Sequence, residues 1–281
     1  MTALWRVATG GRTRLARGGV HQGPTDLIQA VSLDSLLAEP GGVARALDLG
    51  EGPIPDDVKV LAPIDGQEVW ASGVTYLRSR DARKEESELP DHYDHVYDAE
   101  RPELFAKSAP GRVRGPGDTI GIRADSTWDV PEPELCVVAD AAGSIVGYLV
   151  GNDVSSRSIE GENPLYLPQA KSYTGSCALG PCLVPVAEAP SLSDMEVRLR
   201  VDRDGRTAFE GAARVSEMKR TPVDLLDWLF RAQAFPVGVF LLTGTGVVPT
   251  SEFSLREGDE VVISITGLGE LRNGVETVGR T

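Results

Sequence analysis

From about residue 68 onward the apolar runs of this chain are short, rich in Val, Ile and Leu, and closed off by glycine or proline. Runs of that length and punctuation make strands and turns, and they predict a β-rich body. The clearest case lies near the end, where Val261, Ile263 and Ile265 alternate with Val262, Ser264 and Thr266. That period of two gives a strand with one buried face. One helix interrupts the pattern. Thr221 is placed as an N-cap and Pro222 suits the first helical position, Leu225–Leu229 and Leu226–Phe230 pair at i,i+4, and Pro236 stands just beyond the end.

The first sixty residues read as a smaller unit. Short strands are expected around Gly10-Gly11 and Gly18-Gly19, followed by an apolar-periodic helix from Asp26 to Leu37. Pro53, Pro55 and Pro63 then punctuate the chain, and proline restricts both its own φ and the residue before it. We therefore expect two unequal domains within the 281 residues: a small N-terminal α/β cap over 1–62 and a larger body over 63–281.

A formal net charge of -14 opposes binding to nucleic acid or to an anionic membrane, because phosphate contacts need clustered cations. A small anionic substrate stays compatible, since a local group of Arg and Lys outweighs a distant surface charge under physiological screening. The opening MTALWRVATGGRTRLARGG lacks the apolar core of a signal peptide, and no segment has the roughly 18 apolar residues of a membrane span, so a cytoplasmic location is expected. Cys136, Cys177 and Cys182 form neither an even framework nor a CxxC pair, and read as reduced, buried thiols.

In DVPEPELCVV, Glu132 and Glu134 stand two apart at the head of an apolar run, so an extended chain projects both from one strand face. Pro131 and Pro133 cannot donate ladder hydrogen bonds, which favours a strand entrance or edge. Asp153 follows the apolar stretch Ile145 to Val150, as at a strand end feeding a loop. Should the three converge, each pair of carboxylates about 4 Å apart costs on the order of 4 kcal/mol at an effective dielectric near 20, and a cation relieves it. Oxygen ligands without nearby His or Cys favour Mg²⁺, Mn²⁺ or Ca²⁺ over zinc. Taken alone, an ExE pair and a distant Asp read as solvated strand-edge acids.

The flanking motifs change that reading. The chain resembles the fumarylacetoacetate hydrolase superfamily through PELFAK at Pro102 to Lys107, EPEL at Glu132 to Leu135 and GNDVSSR at Gly151 to Arg157. The resemblance continues through QAKSYTGSCALGP at Gln169 to Pro181, TGTG at Thr243 to Gly246, and EGDEVVISITGLGELRN at Glu257 to Asn273. Order and approximate spacing are kept over most of residues 70 to 275. The resemblance implies a β-rich α+β fold around a rolled mixed β-sheet, a divalent metal, a homodimer or homotetramer, and chemistry on a small 2-oxo or 1,3-dioxo acid. It implies Glu132, Glu134 and Asp153 as metal ligands, Lys171 as the active-site lysine, and Arg157 and Thr245 as substrate-binding residues.

One segment departs from the hydrolases of this superfamily. Where they carry a GxNYxxHxxE-like stretch with a water-activating His, this chain has GVTYLRSRDARKEES. Gly73 and Tyr76 keep their places, but Thr75 replaces Asn, Ser79 stands at the His position and Ala82 at that of Glu. This variant, with VPEPEL, resembles the superfamily's sugar-acid branch, which implies dehydration of a 2-keto-3-deoxy pentonate to 2,5-dioxopentanoate. Lys171 is then the expected base at C3 and Glu103 the expected acid for the departing C4 hydroxyl and for later proton movement at C5, with the reverse assignment left open. Ser79, Arg80 and Arg83 supply a hydroxyl and two cations for substrate binding; the alternative pairs the arginines with Glu85 or Glu86 on an exposed helix. Two other functions compete: hydrolysis of a carbon–carbon bond in an acylpyruvate or 2,4-dioxo acid by another base, and metal-dependent sensing of a 2-oxo acid without turnover.

Two weaker signals are set aside. His92 and His95 have metal-ligand spacing but sit in an acidic, polar stretch, Lys84 to Glu100, that reads as a loop or a lid over substrate. TGTGVVP lacks the third glycine and the strand-to-helix context of a dinucleotide loop.

Overall fold

The computed structural model describes residues 1–30, 32–79 and 96–280. Its N-terminal part runs through β1 (Thr2–Thr9), β2 (Arg12–Gly19), β3 (Gly23–Ile28), α1 (Leu33–Leu37), α2 (Gly42–Leu47), β4 (Gly50–Pro53) and β5 (Lys59–Leu61). Then follow β6 (Glu68–Gly73), β7 (Glu103–Ser108), β8 (Thr119–Arg123), β9 (Asp129–Val130), β10 (Pro133–Ala139), β11 (Ile145–Asp153), β12 (Ser155–Ser156), α3 (Arg157–Glu162) and α4 (Leu167–Lys171). The last part comprises β13 (Cys177–Pro185), β14 (Glu196–Arg203), β15 (Arg206–Arg214), α5 (Pro222–Phe230), β16 (Val239–Leu242), β17 (Glu260–Ile265) and β18 (Gly269–Val278).

Among the described residues the larger sheet has eleven strands in the order β4-β3-β2-β1-β13-β11-β10-β16-β6-β7, with β5 also on β1. A five-stranded sheet, β15-β14-β17-β18-β8, faces it, and β12 pairs with β9. The sheets are mixed, because β16–β6 and β18–β8 are parallel while the other pairs are antiparallel. This is the expected β-rich α+β architecture with a rolled mixed sheet.

The period of two along β10 shows how the layers form. Leu135, Val137 and Ala139 enter a core shared with Val197, Leu199 and Val201 of β14 and Val261, Ile263 and Ile265 of β17. Cys136 and Val138 point the other way, into a second core with Leu33 and Leu37 of α1 and Val43 and Ala46 of α2. Each such Val or Leu contributes roughly 1.5–3 kcal/mol by leaving water, so both faces of β10 are fixed and its register with them. The three cysteines are free and buried, and burial pushes the Cys177 and Cys182 thiols up to about 12.

The N-terminal hairpin follows its glycines. Gly10 and Gly11, at φ +54° and +73°, form the two-residue link between β1 and β2 that suits the strands' twist. The helix expected from Asp26 to Leu37 is not formed as such: Gly23–Ile28 is a strand and only Leu33–Leu37 is helical. Ladder pairing of Asp26 with Arg17 and Leu27 with Ala16 satisfies the backbone first. Ser32 then caps the short helix through its hydroxyl and the Ser35 N–H. β1 pairs with β13 at Leu4↔Leu183, so the larger sheet runs from residues 1–62 into the body.

The C-terminal helix forms where expected, Pro222–Phe230, with the Thr221 hydroxyl accepting from the Asp224 N–H at 3.2 Å. Thr221→Ala is expected to lower stability by about 1 kcal/mol through the lost cap. Urea unfolding checks this, and a loss below a few tenths of a kcal/mol would mean that packing alone holds the helix.

Candidate active site

Glu132 and Glu134 flank Pro133, the first residue of β10, and Asp153 is the last residue of β11. The Asp153 N–H donates to the Glu132 carbonyl at 2.9 Å, and the Glu132 N–H to the Asn152 side-chain oxygen at 3.2 Å. That register brings the three carboxylates together, with one oxygen of each within 4.8 Å of the others and all three residues buried. Pro133 does mark a strand entrance, but β10 is no edge: β11 and β16 pair with it on either side.

β16 leaves β10 early, its last paired residue being Leu242 against Cys136. The chain beyond supplies the Gly244 N–H, which donates to Glu134 Oε2 at 2.6 Å. Gly244 has φ +91°, and a Cβ there would lie 2.1 Å from Thr75 Oγ1, so this turn requires glycine. Burial, with Asp153 and Glu132 close by, pushes the Glu134 carboxyl well above the usual carboxylate range, against the opposing pull of Lys171 and the Gly244 N–H.

Lys171 ends α4 and is buried. Its ammonium donates to Glu132 Oε2 at 2.6 Å, Ser155 Oγ at 2.6 Å and Asp153 Oδ2 at 3.2 Å, and stands 5.8 Å from the centre of the Phe105 ring. Arg157, at the start of α3, is also buried; its guanidinium meets Glu132 Oε1 and, at 2.6 Å, Glu160 Oε2. The structure thus commits Arg157 to two carboxylates of the site itself. Thr245 is buried, lines the cavity, and exchanges hydrogen bonds with the Val247 backbone through its hydroxyl.

β7 presents Glu103, Phe105 and Lys107 at a period of two. Glu103 lines the same cavity as the triad, Lys171, Ser79 and Thr245. It lies against Gly73, where a Cβ would come 2.0 Å from Glu103 Oε2. Val74 follows at φ +53°, a conformation that costs a β-branched residue about 1–3 kcal/mol. The Thr75 hydroxyl ties this turn to the Thr243 carbonyl at 2.6 Å. Strain is therefore held at the cavity wall by a contact to the chain that positions Glu134.

The structure gathers Glu132, Glu134, Asp153, Lys171, Glu103, Ser79 and Thr245 around one cavity and puts Arg157 behind Glu132. Arg80 and Arg83 lie outside the described residues, as do His92, His95 and most of the stretch Lys84 to Glu100. Lys107, Ser155, Glu160 and the Gly244 N–H were not singled out from sequence. A signal for Lys107 was present: it falls in phase with Glu103 across ELFAK.

The triad offers carboxylate oxygens only, buried and mutually repelling, a donor set that fits Mg²⁺, Mn²⁺ or Ca²⁺. Lys171 and Glu103 add an amine and a carboxyl able to hold and release protons beside it.

Residues 68–276 match the family model described as "Fumarylacetoacetate (FAA) hydrolase C-terminal". The chain is 51% identical over 251 residues to a Haloferax volcanii protein named "Probable 2-keto-3-deoxyxylonate dehydratase", covering 89% of this chain and 85% of that one. It is 42% identical over 220 residues to the 2-dehydro-3-deoxy-D-arabinonate dehydratase of Saccharolobus solfataricus, covering 77% and 74%. A solved structure of 2-keto-3-deoxy-D-arabinonate dehydratase, complexed with magnesium and 2,5-dioxopentanoate, superposes at a TM-score of 0.86 with 33% identity, over 100% of both chains.

Proposed function

The chain belongs to the fumarylacetoacetate hydrolase family, and from that premise we propose that it is a lyase: a metal-dependent dehydratase converting a 2-keto-3-deoxy pentonate to 2,5-dioxopentanoate. The observation that carries this reading is the cavity itself, where Lys171 and Glu103 share a wall with the carboxylate triad and buried Ser79 stands where the family's hydrolases hold His. The names of the two relatives and the ligands of the superposed structure support it.

We assign Glu132, Glu134 and Asp153 to hold Mg²⁺, with Mn²⁺ as a substitute. When bound, the ion supplies positive charge for the carboxylate and C2 oxygen of the 2-oxo acid, which makes the C3 protons more acidic. Lys171, as the neutral amine that a dication at the triad would favour, takes a C3 proton. Glu103 gives a proton to the C4 hydroxyl as it departs, so one water leaves with the C3–H and C4–O bonds broken and a C3=C4 double bond formed. Glu103, by then a carboxylate, accepts the C5 proton, and reprotonation along the chain turns the C5 carbinol into an aldehyde. Ser79 and Thr245 present hydroxyls to the substrate, and Arg157 fixes Glu132. Arg80 and Arg83 remain proposed carboxylate and hydroxyl contacts.

Cavity-lining residues run from Ser72 to Thr245, which supports residues 63–281 as the catalytic body and 1–62 as a cap. A cytoplasmic location and a homodimeric or homotetrameric assembly belong to the same proposal and rest on the family resemblance. No helix among the described residues is long and apolar enough to cross a membrane.

Incubation with 2-keto-3-deoxy-arabinonate or the xylonate-derived stereoisomer is expected to give a product lighter by one water and bearing an aldehyde, which a coupled aldehyde dehydrogenase oxidises. In heavy water the product should carry deuterium at C3 or C4. Cleavage of an acylpyruvate to pyruvate, with both sugar acids untouched, would replace dehydration by hydrolysis.

A further inference from the structure

We propose that Lys107 is a positioning residue of this site, clasping Asp153 and the end of α4 from behind; the inference rests on the functional reading above. Lys107 is 0% exposed, a long cationic side chain wholly inside the protein. Its ammonium pairs with Asp153 Oδ1 and donates to the carbonyl of Val154 at 3.0 Å and to that of Lys171. Two of the ammonium's three donors thus go to main-chain carbonyls, and its charge faces Asp153 Oδ1 as an ion pair. Lys107 is also absent from the residues lining the cavity.

Burying an ion costs several kcal/mol even after relaxation, whereas a methionine would fill similar space without that cost. What the charge secures is geometry. Three separate segments, β7, the end of β11 and the end of α4, meet at one nitrogen. The two oxygens of Asp153 are thereby divided, Oδ1 to Lys107 and Oδ2 to the side of Lys171 and Glu132, so the carboxylate cannot turn. The same nitrogen holds the main chain at Lys171, whose amine reaches into the triad. Groups that orient metal ligands in this way typically change metal affinity by about 10- to 100-fold when removed.

Electrostatics alone predicts the opposite sign, because a cation beside Asp153 repels a divalent ion. The test is therefore Lys107→Met in the full chain, which keeps the side chain's length and removes its charge. Metal-free protein is titrated with Mn²⁺ by calorimetry, and kcat and KM are measured with a 2-keto-3-deoxy pentonate at saturating Mg²⁺. Mn²⁺ binding is expected to weaken by about 10-fold or more, with kcat falling at least as far and KM within about threefold. Folded Lys107→Met that binds Mn²⁺ as tightly as wild type, or more tightly, overturns the proposal.

Should Lys107→Met fail to fold, Asp153→Asn is compared with Asp153→Asn/Lys107→Met, in which both members of the buried pair are neutral. With the Asp153 carboxylate gone, only the hold on the Val154 and Lys171 carbonyls is left to Lys107, and the two Mn²⁺ affinities should agree within about threefold if its effect passes through Asp153. A further loss of about 10-fold in the double variant overturns the proposal. Wild type that leaves the sugar acid unchanged, alongside Lys107→Met that loses Mn²⁺ affinity, sinks the dehydratase reading and leaves the positioning role standing.

Discussion

Lys171→Met is expected to lower kcat by about 10³-fold while leaving Mn²⁺ binding intact or stronger. Methionine matches the lysine's length in a site where the side chain is only 3% exposed, so little is lost in packing. What goes is the amine 2.6 Å from Glu132 Oε2 and 3.2 Å from Asp153 Oδ2, which is both the proposed base and a counter-charge for the triad. Loss of a base and loss of a ligand therefore separate in sign: turnover collapses while the metal is retained. Leaving buried carboxylates less compensated should also destabilise the metal-free variant by about 3 kcal/mol or more, and a divalent ion should recover part of this. Steady-state kinetics with calorimetry and thermal melts measure all three effects. A kcat within tenfold of wild type would remove Lys171 from the chemistry.

Glu134→Gln should show a stability that changes sign with metal, together with loss of activity. In the metal-free protein Glu134 is crowded by Asp153 and Glu132, and its carboxyl holds its proton above the usual range. A folded-state carboxyl raised above its unfolded value of 4.5 makes the folded state less stable as pH climbs from there. Gln removes that penalty, so the metal-free variant should melt higher than wild type at pH 7, and the advantage should vanish as pH falls below 4.5, where the carboxyl is protonated in folded and unfolded states alike. With saturating Mg²⁺ the order should reverse, because the amide is a poorer ligand, and kcat/KM should fall by about 10²-fold or more. Exhaustive removal of metal from wild type should abolish turnover. Equal Mg²⁺ affinity in wild type and Glu134→Gln would show that the cluster is not the metal site.

The parts of this molecule legible in sequence were those set by local chemistry. Alternation in VVISI gave β17, the Thr221–Pro222 pair gave the start of α5, and the spacing of Glu132 and Glu134 put two acids on one strand face. The convergence of Asp153 with them rested on family motifs, since nothing in the chain states that β10 and β11 pair in the register that joins Glu132 to Asp153. Asp26 to Leu37 departs from the expected helix because Leu27 and Ile28 suit a helix face and a strand equally, and the deciding partner, β2, is contributed from elsewhere in the chain. Lys107 escaped notice for a related reason: a lysine is normally solvated, and only the acceptors brought by β11 and α4 make its burial tolerable. The pairing of Arg157 with Glu132 is likewise made by the fold, since the two stand 25 residues apart.

The buried ammonium groups of Lys107 and Lys171 have a consequence for how the protein is made. Small metalloproteins that lack internal counter-ions stay unfolded until their metal arrives, so that ion availability governs their yield. Here the acids have cationic neighbours from their own chain, so folding ahead of metal loading is the expected order. The choice among competing ions then falls to a finished, rigid cage, where size and ligand hardness decide, rather than to whichever ion first meets a nascent chain.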